Sequence, residues 1–414
     1  MIGSLFAGIS GLNANSTAMT VIGDNIANVN TTAFKANRSS FANVLSQSLG
    51  GSIGSDIGRG VEFWGTSPLW TQGSLENTSS PTDLAISGKG FFIVQDDSGT
   101  NFFTRAGQFH LDQAGDMVNP DGYLVQGYAI DANGNLGNLT SISIPGERIS
   151  PPSATTEFSF DINLDSTTAT NGTYSTSQSV FDTLGNAIPL TLTFTKTANP
   201  GEWTVGAAIP ASAGSGVAFN PASGPTGTIT MAFDTNGNLS NPAGDQTLQL
   251  TLTNGATTPL DITWDLFDTS GANLGDITGY ATPSATTFQY QDGYTSGVLR
   301  GISVDEDGVV TAAYSNGQLT PTYQIALADF PSYDGLAKLG KNLYSESLAS
   351  GQPMPGVAGN GRMGSITPGA IEMSNIDLAQ EFVKMITTQR AFQANSRVIT
   401  TSDEILSELI NIKR

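Results

Sequence analysis

The sequence predicts a mainly β chain with α-helix at both termini. The two terminal helices form a coiled-coil core layer, and two nested, discontinuous β-rich domains fill the middle. Three observations predict this. Apolar residues recur at seven-residue spacing near each end. The intervening chain is Gly-rich, with short strand-like runs between turn motifs. The net charge of −20 lies wholly in that middle.

Leu5, Leu12, Met19 and Ile26 fall seven residues apart, with Ile9, Ile22 and Val29 widening the stripe. Near the other end Leu378, Met385, Phe392, Ile399 and Leu406 repeat the period, flanked by Phe382, Ile386, Leu409 and Ile410. Sustained heptads of this kind specify coiled-coil-like packing. Asn375 or Ser374 supplies an N-cap for the second helix, with Asp377 and Glu381 in its early turns. Gly8, Gly11 and Gly23 each weaken the first helix by up to ~1 kcal/mol, while letting neighbouring backbones approach closely. Helices of this kind are marginal in water on their own. They read either as assembly elements that order in a polymer or as one coiled coil capping a monomeric β domain. The flanking apolar positions, which a two-helix contact leaves wet, argue for the first.

Between them, residues 83–94 and 102–128 alternate strands with Gly and Asp turns. Residues 147–286 form a Thr-, Ser-, Ala- and Gly-rich insert in which Lys196 is the one lysine and Arg148 the one arginine. Strand patterns return at 297–314 and 322–330, and a Gly/Pro-rich stretch, 351–369, leads into the last helix. The resulting division is 1–30 with 371–414 as a helical core, 31–71 with 363–370 as a stem, 72–146 with 287–362 as an inner β domain, and 147–286 as an inserted outer β domain. The clusters Asp131–Asn135, Asp182–Asn186, Asp234–Asn238 and Asp305–Gly308 have the composition of tight hairpin turns. They lack the ligand spacing of a calcium loop.

At 414 residues the chain holds two or three domains. Residues 51–370 carry 29 acidic and nine basic side chains, against near-neutral ends. That balance argues against a nucleic-acid partner, which needs clustered Lys and Arg. No apolar run is long enough to span a bilayer, and no cleavable signal pattern opens the chain. Absence of cysteine excludes disulfides and thiolate chemistry. The single histidine, His110, reads as an exposed strand residue, no Gly-x-Ser-x-Gly elbow is present, and nothing singles out a catalytic carboxylate pair. No enzyme activity and no cofactor or metal are expected. Trp64, Trp70, Trp203 and Trp264 read as core.

Residues 4–38, with Ser4-Leu-Phe-Ala-Gly-Ile-Ser-Gly-Leu-Asn-Ala, Val21-Ile-Gly-Asp-Asn-Ile-Ala-Asn-Val-Asn30 and Phe34-Lys35, resemble the N-terminal signature of the flagellar rod, hook and hook-associated axial protein family. Ile371-Glu372, Ser374-Asn375-Ile376-Asp377-Leu378, Glu381-Phe382-Val383, Gln389-Arg390-Ala391-Phe392 and Asn395-Ser396 resemble its C-terminal signature. Leu84 to Phe92 and Thr104-Arg-Ala-Gly-Gln-Phe109 resemble its central β motif, and 147–286 resembles the outer domain of its hook branch. The resemblance implies a homopolymeric tube that joins rod to filament as a bendable joint. It further implies export by the flagellar type III apparatus without signal cleavage, a location outside the cell in the hook, and contact with rod, hook-cap and hook–filament junction proteins. Leu5, Ile9, Leu12, Met19, Ile22 and Ile26, with Leu378, Phe382, Met385, Ile386, Phe392, Ile399 and Leu406, are then assembly residues. Phe41 and Leu45 resemble an export-gate element, or form an ordinary i, i+4 packing pair. Where the family has Gly before Phe-Lys, this chain has Ala33, which is strained if that position requires positive φ. A distal rod or hook-associated subunit, and a secreted β-rich hydrolase or sugar-binding module, are the rival readings.

Overall fold

The computed structural model describes residues 2–44, 47–48, 56–57, 59–131, 133–144, 149–220, 227–267 and 276–412. Leu45 and the side chains of Leu409 and Ile410 lie outside the described residues. The chain is mainly β, with helix α1 (Ile2–Ala27) at one end and α2 (Leu378–Ile412) at the other. It divides into two compact units. Unit 1 comprises Met1–Gly146, Gly301–Ala313 and Leu319–Arg414, and unit 2 comprises Glu147–Arg300 and Tyr314–Gln318.

In unit 1 the strands order as Val309–Tyr314, Leu319–Asp329, Leu124–Ile130, Phe91–Gln95, Asn101–Thr104, Leu343–Ser345 and Ala337–Gly340. Phe91–Gln95 buries four residues in a row, as expected of a strand covered on both faces. Its Phe91 and Ile93 pack with Phe103, Ala326, Ala328, Phe330 and Tyr344. Trp70 closes this core with its ring centroid 5.6 Å from Phe91 and 5.2 Å from Tyr344. In the central motif, Gly107 accepts a hydrogen bond from Leu84 N at 2.8 Å. A Cβ at Gly107 would collide with the Leu84 carbonyl, so only glycine lets these two segments meet.

Unit 2 is a sandwich. One sheet orders Gly214–Phe219, Gln246–Leu252, Leu260–Trp264, Glu157–Asn163 and Ile277–Thr278, with Ala285–Gln291 also paired to Glu157–Asn163. The other orders Thr173–Phe181, Ala187–Lys196, Glu202–Ala208, Thr228–Phe233 and Leu239–Asn241. Both sheets feed one core, from Phe158, Phe160 and Trp264 on the first to Leu190, Phe194 and Trp203 on the second. Alternation along Ala187–Lys196 buries Ile188, Leu190, Leu192, Phe194 and Lys196 on one face. The Lys196 ammonium ends that row over the Trp203 ring, 5.1 Å from its centroid. Because Ala285–Gln291 belongs to this sandwich, unit 2 runs past residue 286 to Arg300.

The four Asp-initiated clusters are turns whose carboxylates are used locally. Asp182 Oδ1 accepts from the amides of Leu184 and Asn186 at 2.9 and 2.8 Å, closing the hairpin of Thr173–Phe181 and Ala187–Lys196. Asp131, Asp234 and Asp305 accept in the same way from the residues two and four positions on. The backbone amides of Asn135 and Asn238 hold Asp131 and Asp234 below the usual carboxylate range. For Asp182, burial pushes the other way, but the donors from Asn186, Asn254 and Leu184 outweigh it. A carboxylate depressed in the fold contributes stability above its unfolded value of ~3.9, which is lost as pH falls through the folded value. The protection of the Asn135, Asn186 and Asn238 amides from exchange, each taken relative to its intrinsic rate at the same pH, should therefore hold steady between about pH 5 and 8 and fall below about pH 4. Protection at these amides that stays unchanged through the acid range would contradict the assignment.

Two expectations from the sequence are corrected. Trp64 is 81% exposed on the ribbon strand Val61–Pro68, so it is not core, whereas Trp203 and Trp264 are. The cap of α2 is Asp377, whose Oδ1 accepts from Ala379 N at 2.9 Å and Gln380 N at 3.2 Å. Asn375 is instead committed at long range, accepting from Ala36 N and donating to Leu69 O. His110 is exposed on a short strand, as its sequence context predicts.

Candidate assembly surface and its anchor

Helices α1 and α2 lie antiparallel: Ser4 meets Ser402 at 3.5 Å, Gly8 faces Ile399, Gly11 faces Asn395, and Asn25 donates to Glu381 at 3.2 Å. The buried row on α1 is Gly8, Gly11, Ala14, Ala18, Ile22 and Asn25, spaced by three or four residues. This small-residue seam carries the close approach, and the heptad positions Leu5, Leu12, Met19 and Ile26 flank it half-buried. On α2 the heptad positions Met385, Phe392, Ile399 and Leu406 are likewise half-buried. An apolar heptad seam is therefore not what joins the pair, because glycine and alanine let the backbones come closer than leucine knobs would.

A second apolar set faces away from the seam. Ile9, Leu378 and Phe382 are exposed, as are Phe6 and Val383 at 61% each and Ile386 at 51%. Of the residues expected to drive assembly, Ile22 alone is fully buried within the chain. Phe41 sits on the strand Asn37–Asn43, half exposed, with its ring edge-on to Phe63 at 5.9 Å across the ribbon. Its neighbour in that motif is Phe63, from a segment some twenty residues on.

The helix pair is anchored by a buried ion cluster at its base. Glu372, fully buried, receives Lys35 Nζ at 2.5 Å, Arg105 Nη1 at 3.2 Å and the amide of Gly73 at 2.9 Å. Lys35 also donates to Thr71 O at 2.9 Å, and Arg105 to Gly88 O at 2.6 Å. Burial pushes the Lys35 ammonium below its ordinary range, with the Glu372 carboxylate pulling the other way. Ala33, at φ +59°, donates its amide to Glu372 O at 2.7 Å. The positive φ required here is the strain expected of alanine at that position. The cluster draws one residue each from the Phe34-Lys35, Thr104-Arg105 and Ile371-Glu372 motifs. Sequence reasoning used these motifs without foreseeing that they converge. The signal was available as three charged residues embedded in otherwise uncharged motifs.

Four family models match the chain. Residues 5–35 match "Flagella basal body rod protein", 85–166 match "Flagellar hook protein FlgE/F/G D1 domain", 152–294 match "Flagellar basal body protein FlaE D2 domain", and 367–412 match "Flagellar basal body rod FlgEFG protein C-terminal". Among curated relatives, the flagellar hook protein FlgE of Borreliella burgdorferi is 34% identical with both chains covered completely. FlgE of Treponema pallidum is also 34% identical at complete coverage, and FlgE of Escherichia coli is 35% identical over 98% of each chain.

Proposed function

Because this chain belongs to the flagellar hook protein family, we propose that it is a structural subunit that polymerises, through its paired ends, into the tube of the hook. The observation that carries the proposal is the second apolar set on α1 and α2. The clusters around Phe158 and Phe91 bury their side chains, whereas Phe6, Phe382, Val383 and Ile386 gather on the paired helices and face water in the single chain. Burying each against a neighbouring copy would contribute roughly 1.5–3 kcal/mol.

Under this reading residues 1–30 with 371–414 form the inner helical layer, 31–71 with 363–370 a stem, and the β domains the outer layers. The mechanism is mechanical: the helices hold the tube together axially, while the β layers shift as the tube bends between rod and filament. Rod, hook-cap and junction proteins are its partners, and the type III apparatus is its export route. The chain acts outside the cell without catalysis.

The double variant Phe382→Ser/Ile386→Ser tests the proposal. It should keep the circular dichroism and thermal unfolding of the parent subunit, because both side chains are already half exposed. Its polymerisation, followed by light scattering and electron microscopy, should be abolished. A chain lacking both 1–30 and 371–414 should likewise form no tubes. Tubes from either protein would remove the helices from the assembly.

A further inference from the structure

We infer that Asn360 is a spontaneous deamidation site, singled out by the fold from six Asn–Gly pairs in the chain. Asn–Gly is the dipeptide most open to this reaction, because glycine presents its backbone nitrogen without a side chain in the way. The Gly nitrogen attacks the Asn Cγ, a new N–Cγ bond forms, and the Cγ–Nδ2 bond breaks. Ammonia leaves, carrying the amide proton. Water then opens the cyclic imide at either carbonyl, giving aspartate or isoaspartate. Water is the only co-reactant.

Four of the six glycine nitrogens are tied into turns. Gly134 donates to Asp131 O at 3.0 Å, Gly172 to Ala169 O at 2.8 Å, Gly237 to Asp234 O at 3.0 Å, and Gly317 to Tyr314 O at 3.1 Å. An N–H held on a carbonyl is neither readily deprotonated nor free to swing onto Cγ. At the fifth pair it is the electrophile that is held. The Asn254 side chain donates to Asp182 at 2.6 Å and accepts from Ala256 N at 3.2 Å.

The sixth pair, Asn360–Gly361, has neither restraint. Among the described residues Gly361 N and the Asn360 side-chain amide make no hydrogen bond, and both residues are exposed in the turn between Met354–Val357 and Ser365–Pro368. The product carboxylate would enter a cavity of about 280 Å³ that Asn360 shares with Asp329 and Arg362. There Arg362 Nε already lies 3.5 Å from the buried Asp329 carboxylate, so one cation would face two anions.

Intact chain incubated in mildly alkaline buffer, beside the same chain in concentrated urea, provides the test by peptide mass mapping. In the folded chain the peptide holding Asn360 should gain one dalton several-fold faster than the other five, and should resolve into aspartate and isoaspartate forms. In urea the six pairs should react at comparable rates, with Asn360 little changed from its folded rate. The inference is overturned if any of the other five keeps pace with Asn360 in the folded chain. It is equally overturned if Asn360 keeps its amide as long as Asn133, Asn171, Asn236 and Asn316 keep theirs.

Discussion

Replacing Glu372 by alanine should destabilise unit 1 by about 3–5 kcal/mol, the cost of leaving buried charge uncompensated. The carboxylate meets Lys35, Arg105 and the Gly73 amide inside the protein, so its loss strands two cations and a backbone donor at once. Urea unfolding should show the transition of unit 1 moving to lower denaturant while that of unit 2 stays in place. Trp70 reports on the first unit, and Trp203 and Trp264 on the second. A double variant, Glu372→Met with Lys35→Met, should recover part of the loss, since it removes one of the two stranded cations and leaves only Arg105 without its carboxylate. If Glu372→Ala shifts the midpoint by no more than an ordinary surface substitution, the cluster is not the anchor of the chain ends.

Trp264→Ala should have a comparable effect in the other unit, again about 3–5 kcal/mol for an aromatic-to-alanine change in a packed core. Its ring stacks on Phe158 at 5.7 Å and 19°, and meets Phe160 and Phe194 edge-on. Trp264→Phe should cost much less. The indole nitrogen is buried without a hydrogen-bond partner, so phenylalanine removes an unsatisfied donor as it gives up area. Calorimetry showing equal losses for the two variants would mean that the indole nitrogen is satisfied in solution.

The parts of this fold that are legible in sequence are those specified locally. Asp182 closes its turn with amides two and four residues away, and composition alone identifies it. The heptads correctly mark two long helices, but not their contact. A seam of Gly8, Gly11, Ala14 and Ala18 has no hydrophobic period to read, and its value appears only once a partner helix lies against it. The ion cluster is less legible still, because Glu372 lies 337 residues from Lys35 and 267 from Arg105. The cap of α2 was displaced by two residues for the same reason. Asn375 has the right chemistry for a cap, but the fold spends it on Ala36, Leu69 and Thr71. The exposed apolar set proposed above to meet other copies is legible as surplus apolar character, since Phe382 and Ile386 flank the stripe that a single partner would cover.

The route by which the chain enters and leaves unit 2 has a consequence for how such proteins can vary. Ile149 pairs with Val298, Ser150 with Gly297, and Ser153 with Tyr294, so the two connecting strands run side by side, within the ~5 Å of an antiparallel ladder. A short loop closing that gap would excise the whole sandwich. A different sandwich with neighbouring ends could be spliced in without disturbing the register of the strands that remain. Unit 2 is thus an exchangeable cassette, free to change in size and surface while the buried charges and paired termini stay as they are.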